Sequence, residues 1–182
     1  MPLLGQRYTV EDYWALPEGR RAELIDGELR DIASPNRLHQ EIVYELGRSL
    51  GDHILDHHGL GKVYPSPFAV NLFADESTFV EPDISVICDP SKLSDRGCEG
   101  APDLVVEVVS PSSVGMDYVT KLVLYRDAGV REYWICDPLK GTTLAYVFDD
   151  DTDVRICPFT ESVSSSVLPG FSFNFSEVVA RY

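Results

Sequence analysis

The chain has 182 residues, with 15 Lys and Arg against 30 Asp and Glu, and a formal net charge of -15. This excess of acid opposes passive adhesion to nucleic acid or anionic lipid, so a polyanionic partner needs a local basic patch or a bound cation. The length favours one domain over residues 1–182 with a single core.

Cysteine spacing and the first residues bear on redox state and location. Cys88, Cys98, Cys136 and Cys157 form no C-x-x-C pair and have no His at zinc-ligand spacing, which favours reduced thiols over a zinc site. The first residues lack a basic region followed by an apolar run, and no stretch approaches the roughly 18 apolar residues that span a bilayer. We therefore expect a cytoplasmic protein without a membrane partner.

The first third of the chain is predicted to form a short helix, a hairpin and a long helix. Thr9, with Asp12 three residues later, makes a weakened capping box for the short helix. Asp26-Gly27 favours a two-residue turn, so residues 23–32 are predicted to be two antiparallel strands. The long helix opens at residues 34–36 and runs to about residue 58. Its apolar positions recur four apart: Leu38, Ile42, Leu46, Leu50 and Ile54.

The rest of the chain is predicted to alternate between strands and one further helix. The elements are extended segments at 62–64 and 68–73, a strand at 79–88, a loop at 89–101, a strand within 102–111, a helix at 117–128, a strand at 131–136, a hairpin of 144–148 and 154–158 with an acidic tip at 149–153, and a weakly helical tail. This order predicts an α/β fold in which helices flank a mixed sheet, with additional β-hairpins.

Glu107 lies inside an apolar run typical of a strand that is buried on both faces. A buried carboxylate needs a cation, a raised pKa or a metal. Asp83 precedes the previous apolar strand, and the intervening loop is short enough for the two strands to be neighbours. The two carboxylates are therefore predicted to converge, and Mg²⁺ or Mn²⁺ prefers such oxygen ligands.

Lys121 follows in a helix that is predicted to pack back onto this sheet. An ammonium beside a metal-bound water could position that water and stabilise the charge of a phosphorane-like transition state. Asp83, Glu107 and Lys121 together are the residue types that phosphodiester hydrolysis needs.

With these residues in view, the chain resembles the Uma2 (DUF820) family, which is regarded as a restriction-endonuclease-like branch of the PD-(D/E)XK nuclease superfamily. The segments that carry the resemblance are residues 23–28, His39, residues 81–83, residues 102–112, Lys121 with Tyr125, and residues 132–138. The resemblance implies a restriction-endonuclease-like fold and a Mg²⁺- or Mn²⁺-dependent endonuclease that hydrolyses DNA, working as a homodimer.

The resemblance also implies roles for single residues. Pro82-Asp83 supplies the PD element, Glu107 the second acid, and the carbonyl of Val108 a further metal ligand. Val109 stands where the superfamily pattern has lysine, so Lys121 from the following helix becomes the candidate for that role. Glu23 is implied as a further catalytic acid.

Other interpretations stay open at this point. A nuclease-fold binding or assembly module without catalysis agrees with the charge of -15, because proteins that grip duplex DNA place many Lys and Arg along the phosphates. A dimer could still gather basic residues around one cleft: Arg20, Arg21, Arg30, Arg37 and Lys62. Glu107 and Lys121 could form only a structural ion pair. Lys121 could be solvated, Glu23 could be exposed on its strand, and His39 could cap or pack.

Several other polar residues are given structural interpretations. Asp103 is expected to mark the entry of the strand that holds Glu107. His53 and His57 are expected at a solvated helix end, and residues 149–153 at a charged hairpin tip, because Val154 stands where a calcium loop needs Gly. Tyr133 and Trp134 are expected in core and edge positions, with a dimer contact as the alternative.

Overall fold

The computed structural model describes residues 7–75, 77–148 and 153–182. Their helices are α1 (Val10–Trp14), α2 (Arg37–Asp56), α3 (Lys121–Ala128) and α4 (Ser176–Ala180), with a 3-10 turn at Pro90–Lys92 and a π-helical turn at Met116–Thr120. Their strands are β1 (Ala22–Ile25), β2 (Glu28–Asp31), β3 (Lys62–Pro65), β4 (Val70–Asn71), β5 (Phe79–Val80), β6 (Ile84–Ile87), β7 (Leu93–Ser94), β8 (Gly97–Glu99), β9 (Leu104–Val108), β10 (Glu132–Asp137), β11 (Thr142–Val147), β12 (Asp153–Pro158), β13 (Ser162–Ser164) and β14 (Ser172–Asn174). No helix in the described ranges is long and apolar enough to cross a membrane.

Local chemistry sets the first elements as predicted. Thr9 caps α1 in a reciprocal capping box with Asp12. Asp26 and Gly27 both have positive φ, 53° and 75°, which is the backbone of the tight turn that joins twisted antiparallel strands. This turn fixes the register of β1 against β2.

The described strands form two mixed six-stranded sheets and a separate hairpin of β13 and β14. The first sheet has the order β2-β1-β5-β4-β8-β7, and the second has the order β12-β11-β10-β9-β6-β3. In the second sheet β9 runs parallel to β10 and antiparallel to β6. The predicted neighbours, the strand after Asp83 and the strand with Glu107, are therefore confirmed as adjacent.

Side chains alternate between the two faces of the second sheet because a strand has a two-residue period. Val106 and Val108 of β9 belong to the same apolar cluster as Leu46 of α2. Val105 and Val109 belong to a cluster with Tyr125 of α3 and Ile25 of the first sheet. The second sheet is thus packed against α2 on one face and against α3 and the first sheet on the other.

Two predicted elements differ from the structure. The apolar run 79–88 is not one strand: it breaks at residues 81–83, so β5 pairs in the first sheet and β6 in the second. Pro82 has no N–H to donate, which makes it a poor residue for a sheet interior. The segment 89–101 is not only a loop, since it contains the small hairpin of β7 and β8.

Most of the remaining predicted elements agree with the described ones, but only residues 70–71 of the segment 68–73 form a strand, and the hairpin of β13 and β14 was not predicted. The second-half hairpin is formed by β11 and β12, but most of its predicted acidic tip, residues 149–152, lies outside the described residues. The helix predicted from residue 117 is preceded by a π-helical turn that leads into α3. All four cysteines are unpaired.

Candidate active site

A cavity of about 450 Å³ opens between the β1–β2 hairpin, the start of α2 and the segment that leads into α3. All five residues singled out as site residues line it: Glu23, Asp83, Glu107, Val108 and Lys121. They come from both sheets and from α3, and they lie far apart in the sequence.

Asp83 stands in the segment that crosses from the first sheet to the second. Its Oδ2 accepts a 2.8 Å hydrogen bond from the backbone N–H of Val108 and lies 3.1 Å from Nε2 of His39 on α2. Its other oxygen, Oδ1, receives no hydrogen bond from the described residues. One oxygen is therefore fixed by its neighbours while the other remains available to a ligand.

Glu107 points to the α3 face of β9, where two donors meet one of its oxygens. Oε1 lies 2.8 Å from Nζ of Lys121 and 2.6 Å from the hydroxyl of Tyr125. Tyr125 is one helical turn beyond Lys121, so the spacing of four brings both side chains to the same place. Oε2 of Glu107 receives no hydrogen bond within the described part of the chain.

Glu23 and Lys121 are buried, so the interpretations in which Glu23 is exposed on its strand and Lys121 is solvated are wrong. Lys121 is 6% exposed and Glu23 is also 6% exposed. Oε1 of Glu23 lies 3.0 Å from Lys121 Nζ and accepts a 3.1 Å hydrogen bond from the backbone N–H of Glu81. Lys121 therefore bridges an acid of the first sheet and an acid of the second.

A fourth acid in this cluster, Asp117, was not among the predicted site residues. It is 2% exposed, lines the same cavity and accepts a hydrogen bond from Ser113. It lies in the π-helical turn that precedes α3; such turns are frequent at functional sites. Its spacing of four from Lys121 was the signal that could have placed it in the site.

Burial and mutual repulsion shift the proton affinities of this cluster. Burial raises the pKa of Glu107 well above its ordinary value, although Lys121 acts against that shift. Burial likewise raises the pKa of Asp117 from 3.8 to about 6. Burial alone would lower the pKa of Lys121, but the carboxylates of Glu107, Glu23 and Asp117 outweigh it and raise that pKa well above 10.5. The ammonium therefore stays protonated at neutral pH.

A second ion pair closes the outer side of the cluster. Arg21 donates through Nε and Nη2 to Oε2 of Glu81, at 2.9 and 2.8 Å, and also contacts Ser66. Glu81 is the residue whose backbone N–H holds Glu23. The cavity wall thus ties the first sheet to the crossing segment that carries Asp83.

The oxygen atoms of this cavity fit a hard divalent cation such as Mg²⁺ or Mn²⁺ better than Zn²⁺ or copper, which favour sulfur and imidazole ligands. Asp83 Oδ1 and Glu107 Oε2 are carboxylate oxygens that receive no hydrogen bond from any described residue, and magnesium commonly takes one or two carboxylates and completes its shell with water. Among the described residues, no three side chains of His, Cys, Asp or Glu are grouped to form a metal site by themselves. A cation here would therefore depend on two carboxylates, water and backbone or substrate oxygens.

The residues to which the sequence analysis gave structural roles lie outside the cavity lining. Asp103 accepts a hydrogen bond from the backbone N–H of Cys88 and pairs with Arg131, so it fastens the entry of β9 as predicted. The rings of His53 and His57 lie 4.1 Å apart near the C-terminal end of α2, where His57 is exposed and His53 is half-buried against Phe171. Tyr133 and Trp134 are fully buried core residues, so the alternative of a dimer contact through them is wrong.

Comparison of the sequence with family models covers most of the described chain. A family model, Uma2, described as "Putative restriction endonuclease", matches residues 10–176. The chain belongs to the Uma2 family. The segments that suggested the resemblance include most of the cavity's acids, so family membership and site geometry draw on the same residues.

Curated relatives of this Uma2 chain are cyanobacterial. The uncharacterized protein sll1609 of Synechocystis is 30% identical over 120 residues, which cover 64% of this chain and 66% of that protein, just under two thirds of its length. The uncharacterized protein slr1290 of the same organism is 24% identical over 159 residues, covering 86% of this chain and 82% of that protein.

A solved structure has the same fold. It comes from Anabaena variabilis and is described as a putative nuclease belonging to DUF820. It superposes with a TM-score of 0.75 at 19% identity and covers 94% of this chain and 97% of that chain. The mixed α/β fold is therefore shared along almost the full length of both chains.

Proposed function

We propose that this Uma2 protein is an endonuclease that hydrolyses DNA phosphodiester bonds with Mg²⁺ or Mn²⁺. The observation that carries the proposal is the convergence of Asp83, Glu107 and Lys121 in one cavity, where one oxygen of each carboxylate has no donor in the described part of the chain. Such a set, two acids and an ammonium beside a cavity, suits the binding of a phosphate and a hydrolytic water.

In this proposal Asp83, Glu107 and the carbonyl oxygen of Val108 hold the cation. A bound divalent cation supplies a water of lowered pKa and balances phosphate charge. His39 and the N–H of Val108 orient Asp83 from one side. Lys121 and Tyr125 orient Glu107 from the other side.

Lys121 is proposed to act as a fixed positive charge. Because the surrounding carboxylates raise its pKa, it does not serve as a neutral base at physiological pH. Its ammonium instead stabilises negative charge that develops on the phosphate oxygens. Glu23 is proposed to hold Lys121 in place from the opposite side, at 3.0 Å.

The test is cleavage of supercoiled plasmid and of single-stranded oligonucleotide with Mg²⁺ or Mn²⁺. We expect the wild type to cut and both Asp83→Asn and Glu107→Gln to lose about 100-fold or more in rate. Asp127→Asn, which removes an exposed acid of α3, is the matched control. No cleavage by the wild type, or full activity in both acid variants, would refute the proposal.

A second candidate is a nuclease-fold binding or assembly module without catalysis. The charge of -15 favours it, because a protein that grips duplex DNA usually places many basic residues along the phosphates. Titration calorimetry with Mn²⁺ separates the two candidates. A folded wild type that binds no Mn²⁺ would favour the module.

We also propose that the protein works as a homodimer, as the family resemblance implies. Light scattering after size-exclusion chromatography tests this, and a mass equal to one chain at working concentrations would contradict it.

A further inference from the structure

Among the described residues that line the cavity, three carry a permanent positive charge: Arg21, Arg30 and Lys121. Lys121 lies between the buried carboxylates of Glu23 and Glu107. Arg21 is held by Glu81, whose side chain is 11% exposed. The charges of Arg21 and Lys121 are thus already balanced by acids inside the protein.

Arg30 differs from these two cations. Its Nη2 is 3.1 Å from Glu28, whose side chain is 67% exposed, and such surface pairs contribute little. Its Nη1 lies 2.7 Å from Sδ of Met116, a weak acceptor. Its Nε is buried and has no hydrogen-bond partner among the described residues. The guanidinium of Arg30 therefore lacks a buried carboxylate partner.

The position of Arg30 directs this charge toward the proposed reaction centre. In the β1–β2 hairpin Arg30 stands directly opposite Glu23, so the two side chains project from the same face of the hairpin. Its contact with Met116 brings it to the residue before Asp117. The hydroxyls of Ser110 and Ser112, 3.1 Å apart, line the same cavity and offer further donors.

We propose that Arg30 binds a backbone phosphate of the nucleic acid, next to the bond that is cut. A guanidinium can present two parallel N–H donors to the oxygens of one phosphate. The present partners of Arg30, the thioether of Met116 and the exposed carboxylate of Glu28, are weak enough for a phosphate to replace them. This inference rests on the proposed function for its choice of nucleic acid. It adds a substrate-binding residue that neither holds the cation nor stabilises the acid cluster.

A single phosphate contact has a measurable salt signature. Each phosphate neutralised on a single strand contributes a slope of about -0.7 to a plot of log affinity against log salt concentration. The probe is a fluorescein-labelled single-stranded oligonucleotide, followed by anisotropy in EDTA across a range of KCl concentrations. The readout therefore needs no cleavage.

We expect Arg30→Gln to weaken binding about tenfold or more and to make the slope shallower by about 0.7. Arg30→Lys should keep most of the slope, since the positive charge remains. It should lose part of the affinity, because lysine lacks the paired N–H donors of the guanidinium. Arg48→Gln, which changes an exposed arginine of α2 that pairs with Glu45 and Asp52 outside the cavity lining, should bind like the wild type. Inorganic phosphate added as competitor distinguishes a site for free phosphate, which it would block at low concentration, from one for a nucleic-acid chain.

The outcomes separate this inference from the proposed function. If Arg30→Gln binds with wild-type affinity and slope, or the wild type binds no oligonucleotide, the role of Arg30 is refuted. If wild type cuts nothing yet Arg30→Gln loses affinity and slope, the nuclease proposal fails and the phosphate contact stands. Near-ultraviolet circular dichroism and an unchanged Mn²⁺ affinity for Arg30→Gln exclude loss of fold as the cause.

Discussion

His39 Nε2 lies 3.1 Å from Asp83 Oδ2, the oxygen that also accepts the N–H of Val108. Nδ1 of the same ring is buried without a hydrogen-bond partner among the described residues. We assign the proton of the neutral ring to Nε2, because it then faces the carboxylate and leaves only an acceptor unpaired at Nδ1. The ring thereby fixes the rotation of Asp83 and leaves Oδ1 toward the cavity.

The first prediction concerns this positioning. His39→Ala should lower the affinity for Mn²⁺ about 10- to 100-fold, because a carboxylate that has lost its supporting partner no longer holds one orientation. His39→Gln, whose amide can replace the Nε2 donor, should recover part of the loss. Titration calorimetry measures both. Equal affinities for His39→Ala and wild type, in protein that remains folded, would rule out the positioning role.

The second prediction concerns Lys121. Lys121→Met removes the ammonium between Glu23 and Glu107 and leaves two buried carboxylates facing each other, so the free energy of unfolding should fall by about 3–5 kcal/mol at pH 8. Burial raises the folded-state pKa of Glu107, and the variant removes the ammonium that opposes this shift, so stability is present at low pH and lost as pH rises. Urea denaturation should find a smaller deficit at pH 5.

A double variant provides the control for this result. Glu107→Gln added to Lys121→Met removes one of the opposing charges and should restore part of the stability at pH 8. A deficit that does not depend on pH, or that the double variant does not reduce, would mean that lost packing rather than charge causes the effect.

The third prediction concerns Asp117. Because burial raises its folded-state pKa from 3.8 to about 6, the folded protein holds the proton more tightly than the unfolded chain, and stability is lost as pH rises through that interval. Asp117→Asn cannot ionise and should escape that loss. Relative to wild type it should gain stability between pH 3.5 and pH 7, by about 3 kcal/mol at most.

Denaturation in EDTA at several pH values measures this gain without interference from bound cations. Asp127→Asn, which changes an exposed acid on α3, serves as the comparison. Its free energy of unfolding should change with pH in the same way as that of the wild type. If the free energy of unfolding of Asp117→Asn also follows that of the wild type at every pH, a raised pKa for Asp117 would be excluded.

The fourth prediction concerns Glu132, a fully buried acid remote from the cavity. It accepts hydrogen bonds from Trp134 Nε1, Ser165 Oγ and the backbone N–H groups of Ser166 and Val167, at 2.7 to 3.0 Å. Glu132→Gln replaces an acceptor oxygen with a donor and should cost about 2–3 kcal/mol. The Mn²⁺ affinity should stay unchanged; a parallel loss would show that this acid and the cavity are coupled.

Turn chemistry and helical periodicity made the early elements predictable. Asp26-Gly27 needs positive φ at both positions, which few residue pairs provide, so its meaning is local. The spacing of Ile42, Leu46 and Leu50 defines one apolar side of α2 irrespective of what packs there. Glu107 was also recognisable as part of a site, because an acid in an apolar strand demands a partner.

Features that depend on contacts between residues distant in the chain could not be predicted from the sequence. Phe79 and Ile84 lie in one apolar run, yet they join different sheets, and this choice is made by tertiary pairing. Asp117 has helical spacing from Lys121, but only the placement of α3 against β9 shows that its carboxylate is buried in the cavity lining. The contact of His39 with Asp83 likewise joins elements whose packing angle the sequence does not specify.

The crossing segment at residues 81–83 determines at what stage of folding the candidate active site is assembled. Glu81 holds Glu23 on the first sheet, and Asp83 receives the N–H of Val108 from the second. Neither sheet alone contains the full set of groups, so a nascent chain with one sheet unfinished carries scattered acids and no assembled centre. For the proposed nuclease activity, assembly of the centre from both sheets ties the onset of reactivity to completion of the fold.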